Sequence, residues 1–157
     1  MTLQNAPMAR AQMLIRKPVA EVFEAFVDPA VTTKFWFTKS SGRLVPGTEV
    51  RWDWEMYGVW TNVRVKAIEQ NRRILIEWDD PPCPVEWLFT PRADDTTFVS
   101  ISNWGFSGSD DERVAQAIDA MGGFTLVLAG LKALLEHNVV LNLVADHHPD
   151  VHPKEGA

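Results

Sequence analysis

Hydrophobic positions along the chain recur first at helical spacing, then at strand spacing, then at helical spacing again. Residues 9–15 are short and mixed, as in an edge strand. Pro18 opens VAEVFEAFVDP, where Val19, Val22, Phe23 and Phe26 recur three and four residues apart, the spacing of an amphipathic helix. Pro18 suits the first turn of that helix, and Asp28 with Pro29 ends it. One more turn is predicted over Ala30 to Phe35, and FWFTKSSGRLVPG reads as an irregular connection.

After Gly47 the period becomes two. Val50, Trp52, Trp54 and Met56 alternate with Arg51, Asp53 and Glu55, and a turn falls at Tyr57 and Gly58. Val59, Thr61, Val63, Val65 and Ala67 then alternate with Trp60, Asn62, Arg64 and Lys66. A second turn at Gln70 and Asn71 leads to strands over 73–78, 85–90 and 96–104. Strands that follow one another through turns, with no helix between them, build an antiparallel meander. Three of the seven tryptophans fall in WDWEMYGVW (52–60). Alternation separates them: Trp52 and Trp54 point inward, Asp53 and Glu55 to water, and Trp60 outward. A bulge near Asp53 would reverse that assignment.

The strongest helical period comes last. Ser109 or Asp110 can cap a helix beginning DDERVAQAIDAM, with Ala117, Met121, Phe124, Leu128, Leu131 and Leu135 along one face. About 30 residues at roughly 1.5 Å each make a helix of roughly 45 Å. Gly122 and Gly123 predict a bend in it or a close approach to a strand. A helix with so wide an apolar face needs a large partner, and the sheet is the one available. The fold class is therefore α+β, with one domain over 1–143 and a flexible tail over 144–157.

Composition changes this little. At 157 residues, 46% hydrophobic and 23% charged, the chain suffices for one soluble domain with a real core. Charge excludes more: 15 Lys and Arg against 21 Asp and Glu leave −6, with no basic stripe, so no nucleic acid is expected as a partner. The mostly apolar run from Gly122 to Leu135 is interrupted by Lys132 and is shorter than the roughly 20 residues of a membrane span, so no membrane insertion is expected. MTLQNAPMARAQ lacks the apolar core of a signal peptide, which makes cytoplasmic residence the expectation. Cys83 in DPPCP has neither a second cysteine nor a nearby histidine, and reads as a loop thiol.

Three stretches resemble a known family. KPVAEVFEAFVDPAVTTKFW is similar to the opening of proteins related to the activator of Hsp90 ATPase, VPGTEVRWDW to their glycine-then-strand element, and GGFTLVLAGLKALLEHN to their closing helix. The likeness spans roughly residues 10–140, with Phe124 standing where the family has tryptophan. It implies a helix-grip fold of the START and Bet v 1-like kind: a curved antiparallel sheet wrapped around the C-terminal helix, with a short helical pair after the first strand. It also implies a cavity for apolar small molecules. Such proteins serve as carriers, cyclases or co-chaperone modules, so the fold does not choose a function.

The candidate site is the aromatic inner face. Alternation places Trp52, Trp54, Val63, Val65, Ile76, Trp78, Trp87, Phe89, Val99 and Ile101 there, against Phe124, Leu128 and Leu131 of the helix. Large rings close-pack poorly, and a mostly apolar lining with a few polar groups is the usual form of a small-molecule site. Thr61, Asn103 and Tyr57 are the polar candidates. Asp53, Glu55, Glu77 and Glu86 would have raised acidities if enclosed, but alternation sends all four to the water face. His147, His148 and His152 have a spacing that can hold a metal, yet they lie in a polar, proline-rich tail without a scaffold, and His137 sits near the end of the long helix. No Ser-His-Asp set is present, and NWGFSGSDD lacks the spacing of a phosphate loop.

Three functions follow. The first is a non-catalytic module holding an aromatic or lipid-like molecule, with no cofactor, no metal and no catalytic residue. An enzyme of the same fold, such as a polyketide cyclase, needs an ionisable group inside the cavity. A co-chaperone-like interaction module, with a chaperone or a second copy as partner, would show Trp36, Phe37 and Trp60 exposed together.

Overall fold

The computed structural model describes residues 3–151. The elements run β1 (Ala9–Ile15), α1 (Val19–Val27), α2 (Pro29–Thr32), β2 (Lys39–Ser40), β3 (Glu49–Trp54), β4 (Val59–Glu69), β5 (Arg73–Trp78), β6 (Cys83–Arg92), β7 (Thr96–Asn103), α3 (Asp110–His137) and α4 (Leu143–His147). Seven antiparallel strands form one sheet in the order β1-β7-β6-β5-β4-β3-β2. The sheet curves over α3 and, with the short pair α1 and α2, makes the helix-grip arrangement.

Local signals explain most boundaries. Asp28 ends α1, and its side chain accepts from the Ala30 N–H at 3.0 Å to cap α2. Ser109 and Glu112 form a capping box that starts α3. The pairing of β3 with β4 is continuous from Glu49 opposite Arg64 to Trp54 opposite Val59, so no bulge disturbs Asp53. Asp53, Glu77 and Glu86 lie on the outer face in ion pairs with Arg51, Lys66 and Arg73 respectively.

Several expectations need correction. β3 stops at Trp54, and Glu55 to Tyr57 form a 3-10 turn closed by left-handed Gly58, so Met56 is not a strand residue. A bulge between Val65 and Ala67 shifts the register of β4, pairing Ile68 with the fully buried Ile74, so Ala67 leaves the inner face. Cys83 is no loop thiol: it begins β6, is buried, and donates to the Gly105 carbonyl at 3.4 Å. Residues 39–40, read as irregular, pair with β3.

α3 runs unbroken through Gly122 and Gly123, where an added Cβ would meet nothing within 4 Å. The close approach is instead at Gly130, where a Cβ would stand 3.3 Å from Phe35. Met121, expected on the buried face, is 47% exposed. By length and composition α3 resembles a membrane span, but Phe124, Val127, Leu128, Leu131 and Leu134 bury its apolar face in the core of this domain.

The two halves of α3 differ. Near its C-terminus Lys132 donates to the Leu14 carbonyl at 2.8 Å and pairs with Glu136, while Glu136 accepts from the Arg16 N–H at 2.9 Å. That clasp holds the helix to β1. At the other end Asp110 accepts from the Leu3 N–H at 3.0 Å, but among the described residues no side chain of the N-terminal half bonds to a strand, and the space beneath it stays open.

Candidate ligand-binding cavity

The open space is a cavity of about 600 Å³ between the N-terminal half of α3 and the ends of β3, β4, β5 and β7. Trp36, Trp54, Tyr57, Trp78, Phe106 and Phe124 supply its aromatic walls. Along α3, Gln116, Asp119, Ala120, Gly123, Phe124 and Val127 face it, a stripe at three- and four-residue spacing. Val144, His147, His148 and Val151 close one side from beyond α3.

Trp36 is the hub of the aromatic set. Its ring lies 4.9 Å from Trp52, 6.2 Å from Trp54, 6.4 Å from Trp78, 5.9 Å from Trp87 and 5.8 Å from Phe124, centroid to centroid. Tilted and edge-to-face contacts of this kind are the favourable geometry for ring pairs. Phe37 stacks on Trp52 at 4.4 Å behind it. Since Trp36 and Phe37 are both buried and Trp60 lies outside under Arg51 at 4.1 Å, the three do not form the exposed patch that the interaction-module reading requires.

Of the residues placed on the inner face, Trp54, Thr61, Trp78, Asn103 and Phe124 line the cavity. Trp52, Val63, Val65, Ile76, Trp87, Phe89, Val99 and Ile101 share that face but are packed shut, as are Leu128 and Leu131 on the helix. Other side chains cover several of them: Phe37 and Trp36 lie on Trp52, and Phe23 and Phe26 on Phe89, with Phe26 also against Trp87. Trp87 also keeps a buried indole N–H with no partner in the structure.

Tyr57 does not aim its hydroxyl at the open space. It donates to the Val144 carbonyl, with Ala145 O at 3.4 Å, and so fastens the segment around α4 over the cavity's side. Burial pushes the phenol's acidity constant up against a hydrogen bond from the His148 backbone, and the charge of Asp146 adds to the rise. The Cys83 thiol is likewise pushed up, first by burial and then by the charge and hydrogen bonding of Asp79. Residues 144–151, part of the expected flexible tail, are placed as α4 and a 3-10 turn at Pro149–Val151. His147 and His148 lie with ring centroids 4.2 Å apart, and His152 is outside the described residues.

Sequence reasoning missed Trp36, Phe106, Gln116 and Asp119. The FWF triplet after α2 was the available signal for Trp36, and the helical stripe from 116 to 127 for the other two polar groups; nothing local marked Phe106.

With this geometry in view, the family described as Activator of Hsp90 ATPase homolog 1-like protein matches residues 16–136. The chain belongs to that family. No curated protein matches it. A crystal structure of a Staphylococcus saprophyticus protein is 30% identical, with a TM-score of 0.74, over 85% of this chain and 95% of that one. DynU16, a protein from the dynemicin biosynthetic locus, superposes with a TM-score of 0.76 at 21% identity, over 87% of this chain and 49% of its own. The Aha1 dimer from Colwellia psychrerythraea gives 0.71 at 15% identity, over 83% of this chain and 96% of that one. At the two lower identities the likeness is one of fold. The family match ends at Glu136, so Val144, His147, His148 and Val151 bring the cavity a wall from outside the matched span.

Proposed function

We propose that this protein binds a hydrophobic, aromatic or lipid-like small molecule in the cavity beneath the N-terminal half of α3, and does so in the cytoplasm. One observation carries the reading: a space of about 600 Å³ walled by six phenylalanine, tyrosine and tryptophan rings, with Thr61 and Asn103 among its polar groups. That volume is in the range of small-molecule sites, and a lining of rings with sparse polar groups is their usual chemistry. Asp79, Asp119, His147 and His148 on the lining are all exposed, which favours binding over the catalytic alternative, since enclosure is what tunes a general acid or base.

A thermal-shift screen of flat aromatic and long-chain ligands tests the proposal. A ligand at roughly a hundred times its Kd should raise Tm by about 5–10 °C. Gly123→Leu, which places a side chain into the open space, should keep the fold and abolish the shift. If no ligand of either kind stabilises the wild-type protein, the reading is lost.

A further inference from the structure

Resting on the binding reading, the cavity's polar groups narrow the ligand by charge. Asn103, at the end of β7, is only 2% exposed. Its Nδ2 donates to the Pro84 carbonyl at 2.9 Å. A backbone carbonyl can only accept, so the amide is turned one way; Asn103 lines the cavity, and its Oδ1 has no hydrogen-bond partner among the described residues. Gln116 is turned by the same logic, its Nε2 donating to Ser107 O at 2.8 Å and to Glu112 O at 3.1 Å, which leaves Oε1 free to accept. The Tyr57 hydroxyl is already committed to Val144.

Charge points the same way. Asp79 and Asp119 sit on the lining, and neither is in an ion pair with a lysine or arginine among the described residues. Among the described residues no lysine or arginine lines the cavity; the basic side chains there are His147 and His148. The indole N–H groups are donors, but neutral ones, and cannot offset a ligand carboxylate. An anion moved from water to this site would be desolvated without a countercharge, which is costly. A cation gains instead, from the carboxylates and from the faces of the tryptophan rings.

We propose that the cavity selects a ring compound bearing a hydrogen-bond donor, an ammonium or a hydroxyl, that meets Asn103 Oδ1, and that it rejects carboxylate-bearing ligands. The ring packs against the aromatic walls while its donor reaches Asn103 Oδ1 and the carboxylates of Asp79 and Asp119. Fatty acids and aromatic acids are thereby excluded from the larger class of apolar molecules that would fit by size.

The test is calorimetric titration with a ring-matched set: 2-naphthylmethylamine, 2-naphthylmethanol and 2-naphthoate, at about pH 8, above the ordinary range of imidazole titration. The amine and the alcohol should bind, and 2-naphthoate should bind at least about tenfold more weakly than either. Asp119→Asn, at an exposed position, should lower amine affinity several-fold and narrow its ratio to the alcohol. Binding of 2-naphthoate as tight as that of the amine overturns the charge selection and leaves the cavity reading standing. An amine-to-alcohol ratio unchanged in Asp119→Asn also overturns it. If none of the three binds, the ring-and-donor selection falls, while the cavity reading stands or falls with the thermal-shift screen.

Discussion

Gly122 and Gly130 stand eight positions apart on one helix and do opposite things. An added Cβ at Gly122 meets nothing within 4 Å, so there the glycine only weakens the helix. Gly122→Ala should stabilise the protein by up to about 1 kcal/mol, read as a raised denaturation midpoint with an unchanged slope. At Gly130 the helix lies against Phe35, and Gly130→Leu should cost about 1–3 kcal/mol by overpacking. The adjacent glycines drew attention in the sequence while Gly130 passed unnoticed. Helix propensity is local and can be read from one segment, whereas a contact 95 positions away along the chain cannot. The same holds for Trp36: its FWF setting promised aromatic packing, but five ring neighbours from four other elements were beyond any local pattern.

At the scale of elements, α3 is held at its two ends by different devices. Its N-terminus depends on the capping box, and Ser109→Ala should cost about 1 kcal/mol in thermal or chemical unfolding. The C-terminal clasp is electrostatic and so depends on pH. Burial alone would raise the Glu136 carboxyl, but the Arg16 N–H and Lys132 outweigh it and hold the group below its ordinary 4.5. A depressed folded value means that the unfolded chain binds the proton first. Stability from this group is therefore present above pH 4.5 and is lost as pH falls below it, through the folded value. Glu136→Gln should flatten that part of the acid limb in Tm measured from neutral pH downward. An unchanged limb would show that the clasp carries no such linkage. The helix, its cap and its apolar stripe were all legible in the sequence, because cap chemistry and 3.6-residue periodicity are written in neighbouring residues.

For the molecule as a whole, alternation located the inner face and nothing more. Parity says which side of a sheet a residue takes, but not whether the helix above it is in contact. Trp52 and Trp54 have the same parity, yet Trp52 is 1% exposed in the core while Trp54 opens on the cavity. The difference is made by Phe37 and Trp36, which lie over Trp52 from the connection after α2, a property of the assembled fold. The closing wall around α4 is likewise tertiary, tethered by Tyr57 to Val144. Tyr57→Phe removes one hydrogen bond and should speed amide exchange over 144–148 by about 2–10-fold, with the sheet amides unaffected.

The distribution of the indoles makes the cavity an optical instrument. Trp54 and Trp78 line it with ring centroids 6.2 and 6.4 Å from that of Trp36, Trp52 and Trp87 touch Trp36 from the core, and Trp60 stands outside under Arg51. Excitation absorbed by one of the inner indoles can migrate among its neighbours, so a single bound quencher darkens several emitters at once while Trp60 continues to glow. Intrinsic fluorescence should thus split into an occupancy-sensitive component and a steady internal reference, letting an unlabelled protein report its own filling.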